Sequence, residues 1–191
     1  MMTFVESGVR FSFPKSDCFR IEDDEIVVGK DSVKACECLA KTTRNSMDTY
    51  WFIEAKSSAP KENICDRTKI TYSGNPIDTK WSILTNFDNF VNDICQKFED
   101  SFSLCHAMTH GYHGITSAHR IPSGCSGFNN KNVKFVLIIK NFKEEWFPPL
   151  NDAIKKRLRH FLNAWNIHDI AVKTLNVDGA IALGLPVSPV S

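Results

Sequence analysis

The chain lacks the features that mark a membrane protein, a secreted protein or a common nucleotide-binding enzyme. No apolar run approaches the length needed to span a membrane, and the first residues show no basic-then-apolar signal pattern. None of the seven cysteines forms a Cys-x-x-Cys pair, and no Gly-rich phosphate loop of standard spacing is present. These absences predict a protein of the reducing cytoplasm, without membrane contact and without an organic cofactor.

The chain also lacks an excess of charge of one sign. Its formal net charge is +1, so no long-range field would draw the whole protein onto nucleic acid. Charge is nevertheless uneven, because residues 131–160 hold eight Lys or Arg against three Asp or Glu. Binding of an anionic partner is therefore expected to depend on local patches or on a partner subunit.

The chain does contain enough apolar sequence for one core. At 191 residues and 42% hydrophobic composition, a single domain over residues 1–191 is the default prediction. Hydrophobic periodicity predicts early strands, a long helix from about residue 86 to Met108, a buried strand over 133–140, a helix after Pro148-Pro149 and a last strand over 170–175. This order predicts the α/β class, with a mixed central sheet flanked by helices.

The stretch Thr49–Ser58 reads as a strand rich in aromatic residues. With a period of two, Phe52, Glu54 and Lys56 share one face of it. One interpretation is an ordinary exposed face that carries a Glu and a Lys. The other is a metal-dependent phosphodiester hydrolase, in which Glu54 holds a divalent cation and Lys56 stabilises charge on the phosphate.

Two other elements place charged side chains beside this stretch. Residues 32–42 read as a strand with Glu37 among apolar neighbours, where a carboxylate is costly unless a metal or a lysine compensates it. The two strands would form a hairpin. On the long helix, Lys97 lies off the centre of the apolar face and can project past the end of the sheet.

Glu37 on one strand, Glu54-Ala55-Lys56 on the next and Lys97 on the following helix together resemble the core of the PD-(D/E)XK nuclease superfamily. The resemblance covers about residues 19–140 and leaves 141–191 as a C-terminal helix and strand extension. It implies a restriction-endonuclease-like core. It further implies that Glu37, Glu54 and the Ala55 carbonyl hold Mg²⁺ or Mn²⁺, that Lys56 positions water or stabilises the transition state, and that Lys97 touches the scissile phosphate.

The sequence departs from the family pattern at two points. Glu37 stands where the family usually has Asp. No first helix is evident to supply a further Glu, for which Glu22 and Glu25 are the available substitutes.

The resemblance implies a Mg²⁺-dependent endonuclease acting on DNA, as the effector subunit of a bacterial defence system. A partner protein would then supply recognition or activation, and self-association is left open. The alternative is a catalytically inactive member of the same fold that acts as a structural or interaction subunit. Loss of metal binding with retention of the fold would distinguish the second function from the first.

The connection over residues 109–132 and the cysteines suggest further sites that the sequence favours less. Cys105, His110, His113 and Cys125 match no standard zinc spacing. A loop that closes over substrate, with Arg120 reaching phosphate, is an equal alternative there. A cysteine hydrolase using Cys65 or Cys105 has no recognisable local signature.

Overall fold

The computed structural model describes residues 1–25, 27, 33–60, 86–112, 119–129 and 131–190. Eight strands and three α-helices lie in these ranges. In chain order they are β1 (Met2–Glu6), β2 (Val9–Phe13), β3 (Cys18–Arg20), β4 (Cys38–Arg44), β5 (Met47–Lys56), α1 (Asn86–Thr109), β6 (Val133–Ile139), α2 (Phe147–Ala164), β7 (Val172–Leu175), α3 (Val177–Ala182) and β8 (Val187–Pro189). Most of the long connection after Pro60 lies outside the described residues.

A five-stranded mixed sheet in the order β3-β4-β5-β6-β7 forms the centre of the molecule. Strands β3, β4 and β5 are antiparallel neighbours, whereas β6 and β7 run parallel to β5. The two parallel connections contain α1 and α2, as parallel pairing requires a crossover. The predicted α/β class with a mixed central sheet is confirmed.

The two faces of the central sheet are covered differently. On one face, Phe52, Phe135 and Leu137 pack against apolar residues of α1 and α2. On the other, Trp51, Ile53 and Val136 pack against a second sheet of order β1-β2-β8 and against α3. The expectation of helices on the faces is therefore correct for one side, while an antiparallel sheet covers most of the other.

Strand β4 begins later than the sequence predicted. The structure is irregular over residues 33–37, where two backbone amides bond to side chains of α1. The amide of Lys34 donates to Asp100 Oδ2 at 3.0 Å, and the amide of Cys36 donates to Ser101 Oγ at 2.8 Å. Glu37 thus precedes β4 by one residue.

This late start leaves one end of β5 open on the β4 side. Pairing of the two strands ends at Cys38↔Ile53, whereas β5 continues beside β6 to Lys56↔Ile139. Among the described strands, Glu54, Ala55 and Lys56 consequently pair with β6 alone. No helix within the described ranges is long and apolar enough to cross a membrane.

Candidate metal centre at the end of strand β5

Glu54 lies at the centre of the candidate site. Its side chain faces α1, as the two-residue period of β5 predicts, and it is 0% exposed. Oε1 contacts Lys56 Nζ at 2.7 Å and accepts a hydrogen bond from Lys97 Nζ at 2.7 Å. Oε2 is buried and has no hydrogen-bond partner within the described part of the chain.

Burial and charge pairing have opposite effects on the protonation of Glu54 and Lys97. Burial raises the pKa of Glu54, and Lys97 and Lys56 oppose that rise. Burial alone would lower the pKa of Lys97, but the carboxylate of Glu54 outweighs it, so this pKa is raised. A lysine held in this way stays charged beside the acid.

Glu37 is a second buried carboxylate, 2% exposed, with Oε2 lacking a partner among the described residues. Burial, a hydrogen bond with Glu22 and the charges of Glu54, Glu22 and Glu6 raise its pKa to about 9. A carboxyl group of this kind carries a proton at neutral pH unless another cation replaces that proton.

Three glutamates form a group of their own, near enough to Glu54 for its charge to raise the pKa of Glu37. Glu6 ends β1, Glu22 follows β3 and Glu37 precedes β4, and each offers one carboxylate oxygen to a group whose atoms lie within 4.8 Å of one another. Opposite ligands of Mg²⁺ stand about 4.2 Å apart, and those of larger hard cations somewhat further. The donor set and its spacing therefore fit a hard divalent cation after a small contraction.

The charge of this region supports the same fit. Four acidic side chains (Glu6, Glu22, Glu37 and Glu54) are accompanied by three cationic ones, because Lys56 and Lys97 contact Glu54 and Arg20 pairs with Glu22. The raised pKa of Glu37 gives it a proton that a metal would replace. Two of the carboxylate oxygens are buried without a partner in the described chain. An added cation would satisfy oxygens that are costly to leave unpaired.

The backbone carbonyl of Ala55 accepts a hydrogen bond from Ser7 Oγ at 3.0 Å. Ser7 belongs to the turn between β1 and β2, which sits where β5 extends past β4. The carbonyl has a second lone pair, so this contact leaves it able to bind another group.

The predicted site residues fall into two groups. Lys56 and Lys97 both contact Glu54, so the structure brings these three together. Glu37 lies close enough for the charge of Glu54 to raise its pKa, but its carboxylate groups with Glu6 and Glu22. Of the two substitute acids, Glu22 joins this group, while Glu25 is 84% exposed and pairs with Arg120 at 2.6 Å.

Glu6 belongs to the glutamate group but was not among the site residues predicted from the sequence. The signal available for it was the two-residue spacer Ser7-Gly8 between the alternating stretches Met2–Glu6 and Val9–Phe13, which is typical of a tight hairpin. Only the fold shows that this hairpin ends beside β5.

The other suggested sites find no support in the described ranges. Arg120, considered as a phosphate contact, pairs with Asp24 and Glu25. Cys105 and Cys125 are buried, and burial raises both thiol pKa values. His113 and Cys65 lie outside the described residues, and in the described chain the metal-ligating group contains glutamates alone.

Comparison of the chain with protein-family models, with curated proteins and with solved structures found no match.

Proposed function

We propose that the chain is a metal-dependent nuclease that hydrolyses phosphodiester bonds in DNA at the end of β5. The observation that carries this proposal is the buried carboxylate of Glu54, which holds two lysines on one oxygen and leaves the other oxygen without a partner in the described chain. Acids that bind a hard cation next to lysines that bind phosphate are the components that this reaction needs.

The order of elements supports the same proposal. An antiparallel meander of β3, β4 and β5, a crossover through α1 and a parallel neighbour β6 agree with the core that the PD-(D/E)XK resemblance implies. The Glu-x-Lys sequence lies at the end of the third meander strand, and Lys97 reaches it from the crossover helix. A restriction-endonuclease-like core is therefore part of the proposal.

Glu37, Glu54 and the Ala55 carbonyl would hold the cation, with Glu22 as a further acid at the same place. Bound Mg²⁺ or Mn²⁺ would polarise the phosphate and lower the pKa of a coordinated water. The oxygens that the chain offers are hard ligands, which suit these metals better than softer ones.

Lys56 and Lys97 would have different roles in the reaction. Both contact one oxygen of Glu54, so one can turn to a phosphate oxygen or to the attacking water while the other still neutralises the carboxylate. Lys56 is the more exposed side chain, at 29% against 17% for Lys97. We assign contact with water or the transition state to Lys56, and positioning of Glu54 with a secondary phosphate contact to Lys97.

The near-neutral net charge supports a partner subunit that supplies much of the affinity for DNA. An effector subunit of a bacterial defence system is the biological setting that we propose. The solvent-facing basic residues Lys156 and Arg159 of α2 are available for DNA or for an acidic partner, whereas Arg157 bonds to Asn92 and Glu99 of α1.

The alternative, an inactive member of the same fold, rests on one specific observation. Arg20, Lys56 and Lys97 already neutralise acids of the site, and Arg20 pairs directly with Glu22. Cations built into the chain would then replace a metal. In that case the protein acts as an interaction subunit.

Cleavage of plasmid and oligonucleotide DNA in Mg²⁺, Mn²⁺ or EDTA tests the proposal. Glu54→Gln and Lys56→Met should each lower a metal-dependent rate by at least about 100-fold. Glu25→Gln and Arg44→Met, which change an exposed acid and an exposed base at the far end of the β4–β5 hairpin, should cleave like the wild type. A wild type that neither cleaves any substrate nor binds Mn²⁺ would favour the inactive alternative.

A further inference from the structure

The N-terminal hairpin of β1 and β2 is docked onto the end of the central sheet. Its turn residues Ser7 and Gly8 have φ values of 51° and 77°, the left-handed geometry of a tight two-residue hairpin turn. Ser7 Oγ donates to Ala55 O at 3.0 Å, and the amide of Val190 donates to Gly8 O at 2.9 Å. A Cβ on Gly8 would lie 2.9 Å from Lys140 Cδ, so the turn fits closely against the residue after β6.

At the end of β1, the apolar residue Val5 faces solvent and the charged residue Glu6 faces the core side. Met2 and Phe4 pack against the core between the two sheets, and the two-residue period puts Glu6 on their side. Val5 points outward and is 50% exposed. This strand end thus exposes a valine and turns a half-buried glutamate toward the core side.

The inward glutamate meets the acids of the candidate site. Its oxygen lies within 4.8 Å of oxygens from Glu22 and Glu37. Independently of this grouping, Glu37 is 2% exposed and keeps Oε2 buried without a partner among the described residues, as does the 0% exposed Glu54. Glu37, which belongs to the group with Glu6, therefore indicates a place for a ligand that adds positive charge, and Glu54 holds a second orphaned oxygen near enough for its charge to act on Glu37.

We propose that Glu6 is a ligand of this cation and that the N-terminal hairpin is therefore a structural part of the metal centre. The proposal deepens the proposed function and rests on it for the use of the site, but it stands on metal binding alone. The hairpin lies outside the region of residues 19–140 that the superfamily resemblance covers. Through Ser7, the same turn fixes the Ala55 carbonyl next to Glu54, so one element supplies a ligand and holds another in place.

Mn²⁺ binding to the full-length chain, measured by calorimetry and by electron paramagnetic resonance, tests this directly. Glu6→Gln should weaken binding by at least about tenfold, because affinity for a hard cation follows the number of charged ligands. Glu6→Asp, which keeps the charge on a shorter arm, should lose less. Glu25→Gln is the matched control from an exposed acid and should bind like the wild type.

Hydrogen exchange on the wild type covers the case in which Glu6→Gln does not fold. Mn²⁺ should slow amide exchange in residues 2–6 as well as in residues 18–22 and 37–40. Slowing that spares residues 2–6, a Glu6→Gln affinity within twofold of wild type, or a wild type that binds no Mn²⁺ would each overturn the inference.

DNA cleavage by the same samples separates this inference from the proposed function. Binding that depends on Glu6 without any cleavage would support the ligand assignment and count against the nuclease. Metal-dependent cleavage with unchanged Mn²⁺ affinity in Glu6→Gln would support the nuclease and count against Glu6 as a ligand.

Discussion

Lys97 on α1 and Glu54 on β5 are joined by a 2.7 Å charged hydrogen bond across 43 residues of sequence. The bond ties α1 to the end of β5, and both partners are largely removed from solvent. An ion pair of this kind is costly to break on one side, since the remaining charge stays buried.

Replacing Lys97 by Met should therefore destabilise the metal-free protein by about 1–3 kcal/mol, with Lys56 limiting the loss. The free energy of unfolding in urea with EDTA present measures this effect. Lys34→Met removes a lysine from the exposed pair with Asp93, also on α1, and should cost no more than about 1 kcal/mol. Equal losses in the two variants would show that the Glu54 pair does not differ from a surface pair.

A substitution in the turn between β4 and β5 should raise the free energy of unfolding. Asn45 and Ser46 have φ values of 50° and 60°, and the pairing Arg44↔Met47 closes a two-residue loop around them. Gly is the preferred second residue of such a turn because it has no Cβ to strain. Ser46→Gly should raise the free energy of unfolding by about 0.5–1 kcal/mol.

Ser126 provides the control for this change, because its φ of −78° is ordinary for a side-chain-bearing residue. Ser126→Gly should lower stability slightly, because it adds chain entropy and removes the hydrogen bond that Ser126 Oγ donates to Ser123 O at 2.9 Å. A Ser46→Gly protein that is less stable than the wild type would contradict the argument.

The sequence predicted the central sheet better than it predicted the site. Continuous apolar runs and helical periodicity sufficed for β5, β6, α1 and α2, since these signals are local. Glu37 was predicted to lie within a strand, but side chains of α1 bind the preceding amides, and no local pattern encodes that contact. Glu6 was missed because its place beside Glu22 and Glu37 depends on where a hairpin docks. The short elements α3 and β8 were missed because they depend on tertiary packing.

A histidine pair at the end of α1 predicts sensitivity to acid. The rings of His106 and His110 stack at 4.2 Å, and Trp165 lies 4.8 Å from His106. Burial first, and then the charge of His110, lower the pKa of His106. The folded protein therefore binds fewer protons there than the unfolded chain does, so this contribution to stability is present above about pH 6.5 and is lost as pH falls below it.

Melting temperatures of the wild type and His106→Gln at pH 7.5, 6.5 and 5.5 test this directly. The variant should lose less stability between pH 6.5 and 5.5 than the wild type does. Parallel curves would show that His106 does not contribute to the acid sensitivity.

The charge of Arg20 should affect both the stability of the metal-free protein and the affinity of the three clustered glutamates for metal. Its guanidinium pairs with Glu22 and lies 4.0 Å from the ring centre of Phe4 on β1, so it neutralises one of the three clustered glutamates. Removing this charge leaves the carboxylate of Glu22 uncompensated beside Glu6 in the metal-free protein, where Glu37 carries a proton. Arg20→Met should therefore unfold more easily in EDTA, yet it should bind Mn²⁺ about threefold to tenfold more tightly, since a competing positive charge is gone.

Arg44→Met is the matched control, because Arg44 lies at the exposed end of β4 and carries the same charge. It should change neither the Mn²⁺ affinity nor the melting temperature in EDTA appreciably. Saturating Mn²⁺ should restore most of the stability that Arg20→Met loses, as a ligand that binds only the folded state stabilises it. Weaker Mn²⁺ binding by Arg20→Met than by Arg44→Met would mean that Arg20 organises the glutamates for the metal and does not compete with it.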